Sequence, residues 1–190
     1  MVKNKQVWFI AFYSGTSYGA IALLGAIWGT QYLQTRGLAQ GTAAYCVSMA
    51  WVGYAVGCPL MGVLSDLTRR RKPSLIFCSA LGIVVTLLIA YPTISSAWVY
   101  AGLFFLLGLG ASGQNVGFAA ISEQVANHAR SAALGVNNAA IISFDTFMPV
   151  IIGYLITLSA GQIHGNVSQL KPGNFAVAFS IMPILYLLGL

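Results

Sequence analysis

The sequence predicts an all-α integral membrane protein, a bundle of six transmembrane helices. Three observations carry this prediction. Of the 190 residues, 58% are hydrophobic and only 6% are charged, whereas a soluble domain carries about 25% charged residues. So few charges cannot cover a globular surface, which excludes an ordinary cytosolic enzyme and a disordered chain alike. The charges sit in short gaps between long apolar runs. Runs such as 75–90 show no alternating polarity in ~10-residue units, as a membrane barrel would require.

A spanning helix needs ~20 mainly apolar residues, and six segments meet or nearly meet that length. The first runs over about 7–33 behind Lys3 and Lys5, too long for a signal-peptide core, and reads as an uncleaved first helix. The second and third cover about 41–64 and 74–92, joined by a tight loop holding Arg69, Arg70, Arg71 and Lys72. The fourth and fifth cover about 97–122 and 131–158, and the sixth 174–190. The sixth has barely enough residues to cross, and its end at Leu190 without a polar tail reads as a clipped terminus.

Nine Lys and Arg against three acids give a net charge of +6. Their placement follows the positive-inside rule and not nucleic-acid binding. Lys3, Lys5, Arg69, Arg70, Arg71, Lys72 and Arg130 lie on one side, Arg36 and Lys171 on the other. Both termini are therefore expected in the cytoplasm, with Trp28, Tyr32, Tyr91 and Trp98 near the outer interface and Trp8 near the inner one. Cys46, Cys58 and Cys78 lie in or beside apolar runs without a CxxC pair and read as buried thiols. His128 and His164 fall in loops on opposite sides and share no metal site.

The most specific segment is the loop from Gly62 to Lys72. Topology explains its bases but not Asp66, because acids contribute little to orientation. A carboxylate there can accept helix N-terminal amides or pair with a nearby Arg, latching two helix ends. Gly62, Leu64, Ser65, Asp66, Arg70 and Arg71 match the loop motif G-x-L-[AS]-D-[RK]-x-G-[RK]-[RK], and the chain thereby resembles the major facilitator superfamily. Leu67 replaces a usual base and Arg69 the usual Gly, as in the degenerate copy often found in the family's second half. Glu123, a short turn, Arg130 and Gly135 resemble the loop between the fourth and fifth helices of a facilitator half. The stretch 97–122 lacks the Arg common in first halves, and Pro149 follows Met148, not the Gly of the family's antiporter motif. The resemblance thus implies a carboxy-terminal six-helix half with nested three-plus-three inverted repeats.

Inside the membrane, Asp145 near the middle of the fifth span is the sharpest feature. An acid at the bilayer centre costs at least about 2.5 kcal/mol on insertion scales, so by default it faces a partner or a water-filled cavity. Asn138 is seven residues earlier and shares its stripe. Pro149, four residues later, lacks the amide that would bond the Asp145 carbonyl and favours a kink. Asp145 is expected either in substrate binding or proton coupling, or in a structural bond to a neighbouring helix or a base of another half. In the first span, Tyr13 and Ser17, like Ser14 and Tyr18, lie one turn apart. In the fourth, Gln114 and Asn115 are too polar for lipid, while Gly113 and Gly117 form a small-xxx-small pair. The resemblance implies that the first and fourth helices line the central path. Gly53 and Gly57 read as packing residues.

The expected pathway residues are Asp145, Asn138, Tyr13, Ser17, Gln114 and Asn115. The expected cytoplasmic gate is Gly62, Asp66, Arg70, Arg71, Glu123 and Arg130. Gly110, Ser112 and Gly113 match the GxSG serine motif of rhomboid proteases, but the fifth and sixth spans contain no His to act as base. Paired Asn-Pro-Ala boxes and nucleotide-binding glycine patterns are absent too. The reading is half of a secondary transporter of the inner membrane that moves a small solute, with protons, by alternating access. It implies no cofactor, no metal and no nucleic acid. Its partners are the bilayer, the solute and an amino-terminal six-helix half or a second copy. The rival is a self-contained six-helix protein, working as a homodimer or as a non-transporting assembly factor.

Overall fold

The computed structural model describes residues 4–94, 96–160 and 170–189; Lys3 and His164 lie outside them. Among the described residues six helices are long and apolar enough to cross a membrane. They are Lys5–Ile27, Gln40–Leu67, Arg71–Ala90, Ala97–Glu123, Asn127–Ser159 and Pro172–Gly189, referred to below as the first to sixth spans. No strand occurs among these residues.

The first span ends six residues before the expected boundary. Leu23–Ile27 widens into a π-helical turn in which the Trp28 amide donates to the Leu23 carbonyl at 2.8 Å, and a separate helix follows over Gly29–Thr35. The turn depends on Gly29, where a Cβ would collide with the Leu24 carbonyl. Hydropathy alone reads straight through such a turn, because both sides of it are apolar.

The helix after the turn folds onto the third span. Tyr32 is buried. Its hydroxyl donates to the Ile89 carbonyl at 2.5 Å, while Arg36 donates to the Tyr32 hydroxyl at 2.9 Å and to the Ala90 carbonyl at 3.0 Å. The last carbonyls of a helix have no partners within it. A cation beside them is also favoured by the helix dipole.

The fourth span breaks at Ser112, between helices Ala97–Ala111 and Gly113–Glu123, and the Ser112 hydroxyl donates to the Leu109 carbonyl at 2.6 Å. The sixth breaks at Ser180, between Pro172–Phe179 and Ile181–Gly189. Pro183, which has no amide to offer the Phe179 carbonyl, explains the second break. The second and fifth spans remain helical through Pro59 and Pro149.

Lipid tails compete with apolar side chains, so close packing and hydrogen bonding decide how such helices associate. The second and fourth spans approach closest: a Cβ on Gly53 would overlap the Phe105 carbonyl, and one on Gly108 the Ala50 carbonyl. Tyr100, Phe104, Phe175, Phe179 and Tyr186 fill the core around them. The first and fourth spans occupy the centre, with 72% and 67% of their apolar windows buried. The second and fifth bury only 28% and 17%, so each turns a long face out of the bundle.

Candidate functional site

The outward face of the fifth span carries four polar side chains with two different fates. Ser143 and Thr146 donate back to the carbonyls of Ala139 and Ile142 at 2.7 and 2.8 Å. Those hydroxyls satisfy themselves on their own helix. Asn138 and Asp145 are exposed on the same face, and two turns of helix return to one stripe. Among the described residues neither makes a hydrogen bond or an ion pair. A carboxylate facing lipid there would be costly. This side of the bundle therefore fits a water-filled or protein-covered surface.

Glycines in the first span set the rotation of the fifth. The Phe144 ring lies where a Cβ on Gly15 would be, and the Phe144 Cβ lies 3.7 Å from one on Gly19. The ring also packs edge-on to Phe12 at 5.4 Å. With Phe144 docked into that groove, Asp145, about 100° further round, opens to the exterior, and Tyr18, next to Gly19, flanks the same contact.

From Tyr18 the polar surface continues onto the second and fourth spans. The Tyr18 and Tyr54 rings meet edge to face at 5.9 Å, and those of Tyr54 and Trp51 at 6.4 Å. The Tyr54 hydroxyl donates to the Gln114 side-chain carbonyl. It accepts from the Asn115 amide at 3.2 Å, and that amide also reaches the Cys58 sulfur at 2.6 Å. The Trp51 indole donates to the Gly25 carbonyl at 3.0 Å, in the π turn of the first span. Gln114 is buried and Asn115 half-buried. Gln114 and Asn115 thus join Tyr54 and Cys58 in one hydrogen-bonded cluster, which Tyr18 extends toward the fifth span by ring contact.

Tyr13 and Ser17, also expected on the pathway, lie on another side of the first span. Both are buried. The Tyr13 hydroxyl donates to the Leu75 carbonyl at 3.2 Å, and the Ser17 carbonyl accepts from Tyr186 at 3.2 Å. The reason is helical phase. Tyr13 and Ser17 each lie about 160° around the helix from Gly15, whereas Tyr18 lies about 60° away. With Gly15 against the fifth span, Tyr13 and Ser17 must face the third and sixth.

Sequence reasoning missed Tyr54 and read Cys58 only as a buried thiol, whereas it is half-buried. Trp51, Tyr54 and Cys58 recur at helical spacing on one stripe of the second span, a signal that could have found them. It also passed over Asn137, which is fully buried with neither side-chain polar atom bonded.

At the basic end, the Arg71 guanidinium binds Asp66 at 2.5 Å, Glu123 at 2.8 Å and the Ser65 hydroxyl at 3.0 Å. One side chain therefore ties the second, third and fourth spans. Arg70, expected beside Asp66, is exposed and unpaired among the described residues, as is Arg130. The turn places Arg70 as the residue before the third helix, whereas Arg71 is its first helical residue. Gly62 has open space where a Cβ would sit. Beside the ion cluster, Gln6, Tyr13, Lys72, Leu75 and Gln124 line a cavity of about 340 Å³.

The comparisons add one finding. A family model described as Major Facilitator Superfamily matches residues 7–190. No curated protein matches the chain at a significant level.

Proposed function

This chain belongs to the major facilitator superfamily, and from that premise we propose that it is one half of a secondary active transporter, a single six-helix domain that moves a small solute by alternating access. The assignment to the carboxy-terminal half rests on the degenerate loop motif. A second six-helix unit, an amino-terminal half or a second copy, covers the open faces of the second and fifth spans. The two units rock about a site near the bilayer midplane.

The observation that carries this reading is Asp145: an acid midway along a span, on an open face, with no base to neutralise it among the described residues. In the proposed mechanism it holds either the coupling proton or charge on the solute. Tyr18, Tyr54, Gln114, Asn115 and Asn138 share its surface. Asp66, Arg71 and Glu123 close the cytoplasmic side, and Gly62, Arg70 and Arg130 are free to meet the second unit. The orientation with both termini in the cytoplasm of an inner-membrane protein rests on the seven-to-two distribution of bases.

The test is solute flux by the native gene product in membrane vesicles. Asp145→Asn is expected to abolish proton-coupled flux at unchanged membrane levels. Unchanged coupled flux would sink the role of Asp145. The apparent mass of the native product in membranes tests the half-transporter reading. A species of the 20.1 kDa of this chain leaves a homodimer or a non-transporting factor as its replacement.

A further inference from the structure

The charge inventory of the midplane surface is one-sided. Three of the chain's residues are acidic. Asp66 and Glu123 are consumed by Arg71 at the basic end, so Asp145 is the only acid of this chain on the open face. The described bases Lys5, Arg36, Arg69, Arg70, Arg71, Lys72, Arg130 and Lys171 all lie at span ends or in the connections between spans. An anionic solute would meet an uncompensated carboxylate there. A cation would bring the charge that no described base supplies to this face.

What stands beside Asp145 is aromatic. Tyr18 adjoins Gly19, which packs on the Phe144 Cβ next to Asp145, and the edge-to-face series Tyr18, Tyr54, Trp51 extends from there. Ring faces attract cations, most strongly those of Trp and Tyr and most strongly where water is excluded. The Tyr54 hydroxyl is already held by Gln114 and Asn115, so the ring is oriented before any ligand arrives. Pro149 has no amide to occupy the Asp145 backbone carbonyl, which leaves a further acceptor beside the carboxylate.

We propose that the solute this surface recognises is an organic cation, an amine or quaternary ammonium compound, with Asp145 as its counter-ion and Tyr18, Tyr54 and Trp51 as its aromatic wall. The proposal rests on the transporter reading above and names its substrate class.

The experiment uses the native gene product in membrane vesicles. Radiolabelled tetraethylammonium, a cation that cannot lose its charge by deprotonation, is the probe. Saturable binding is expected, weakened about tenfold or more by Asp145→Asn, a loss of roughly one decade per 1.4 kcal/mol. Tyr18→Leu should weaken it about threefold, while Tyr18→Phe, which keeps the ring face, should stay within about twofold. Choline should compete, and its uncharged carbon isostere should not.

Absence of saturable binding overturns the proposal, as does binding indifferent to Asp145→Asn. Uptake of a mixture of cationic, neutral and anionic solutes distinguishes this failure from that of the transporter reading. Flux confined to neutral or anionic solutes overturns the cation assignment and leaves a transporter. No flux for any solute class overturns the transporter itself, and the proposal with it.

Discussion

Arg69 adopts a left-handed backbone conformation, φ 50°, and its amide donates to the Asp66 carbonyl at 3.1 Å. The bond closes the second span and turns the chain toward the third. A side chain in this region costs about 1–2 kcal/mol, a strain that glycine does not feel. Arg69 also occupies the place where the facilitator loop motif usually has Gly. Arg69→Gly is therefore expected to stabilise the protein by about 1 kcal/mol, measured as a rise in the midpoint of thermal unfolding in detergent. Arg69→Val should lower the midpoint. Equal midpoints for the two variants would contradict the strain.

The contact of Phe144 with Gly15 predicts a suppressor pair. Gly15→Leu forces the Phe144 ring away and should cost about 1–3 kcal/mol, as overpacking does. Phe144→Ala removes the obstructing ring, so the double variant should regain part of the loss. Strictly additive effects in the double-mutant cycle would show that the two residues do not touch.

Arg71 serves both carboxylates at the basic end, and this ranks the variants. Arg71→Ala should slow turnover more than Asp66→Asn or Glu123→Gln, leaving the KM and the order of substrate preference unchanged. Each of these exposed ion pairs contributes only about 0–1 kcal/mol to stability, so the variants should remain folded. Turnover measured at rising ionic strength should fall for the native protein and change little for Arg71→Ala. Normal turnover in Arg71→Ala would remove the latch.

Asn137 predicts a gain from losing polarity. Its amide is fully buried and bonds to none of the described residues, and such a group carries a desolvation cost of about 1–3 kcal/mol. Ala133 and Ala140, one turn to either side on the same stripe, belong to an apolar cluster with Val7 and Ala11 of the first span. Asn137→Leu, which keeps the branching at Cγ and removes the polarity, should raise the unfolding midpoint. A fall would mean that the amide has a partner, such as a trapped water.

Much of this architecture was legible because lipid imposes simple rules. All six spans, the basic cluster and the exceptional status of Asp145 follow from apolar length and the scarcity of charge. What escaped depends on rotation and on single turns. The phase of the first span decides between Tyr13 and Tyr18, and only the Gly15–Phe144 contact sets that phase. The choice of Arg71 over Arg70 depends on where one helix begins. The early end of the first span depends on Gly29, hidden in an apolar stretch. Tyr54 and Cys58 looked like ordinary span residues until Asn115 was brought to them across the bundle.

The bond from Trp51 to the Gly25 carbonyl bears on how the chain is made. Backbone carbonyls at membrane depth must find donors, and this one takes a donor from 26 residues further along. A nascent first helix that reaches the bilayer alone lacks that indole. The side chain arrives only with the next segment to leave the ribosome. The smallest insertion unit in which the π turn has its indole donor is thus the pair of helices over residues 5–67. Biogenesis of this pair should proceed as a hairpin, with Trp51 as its closure.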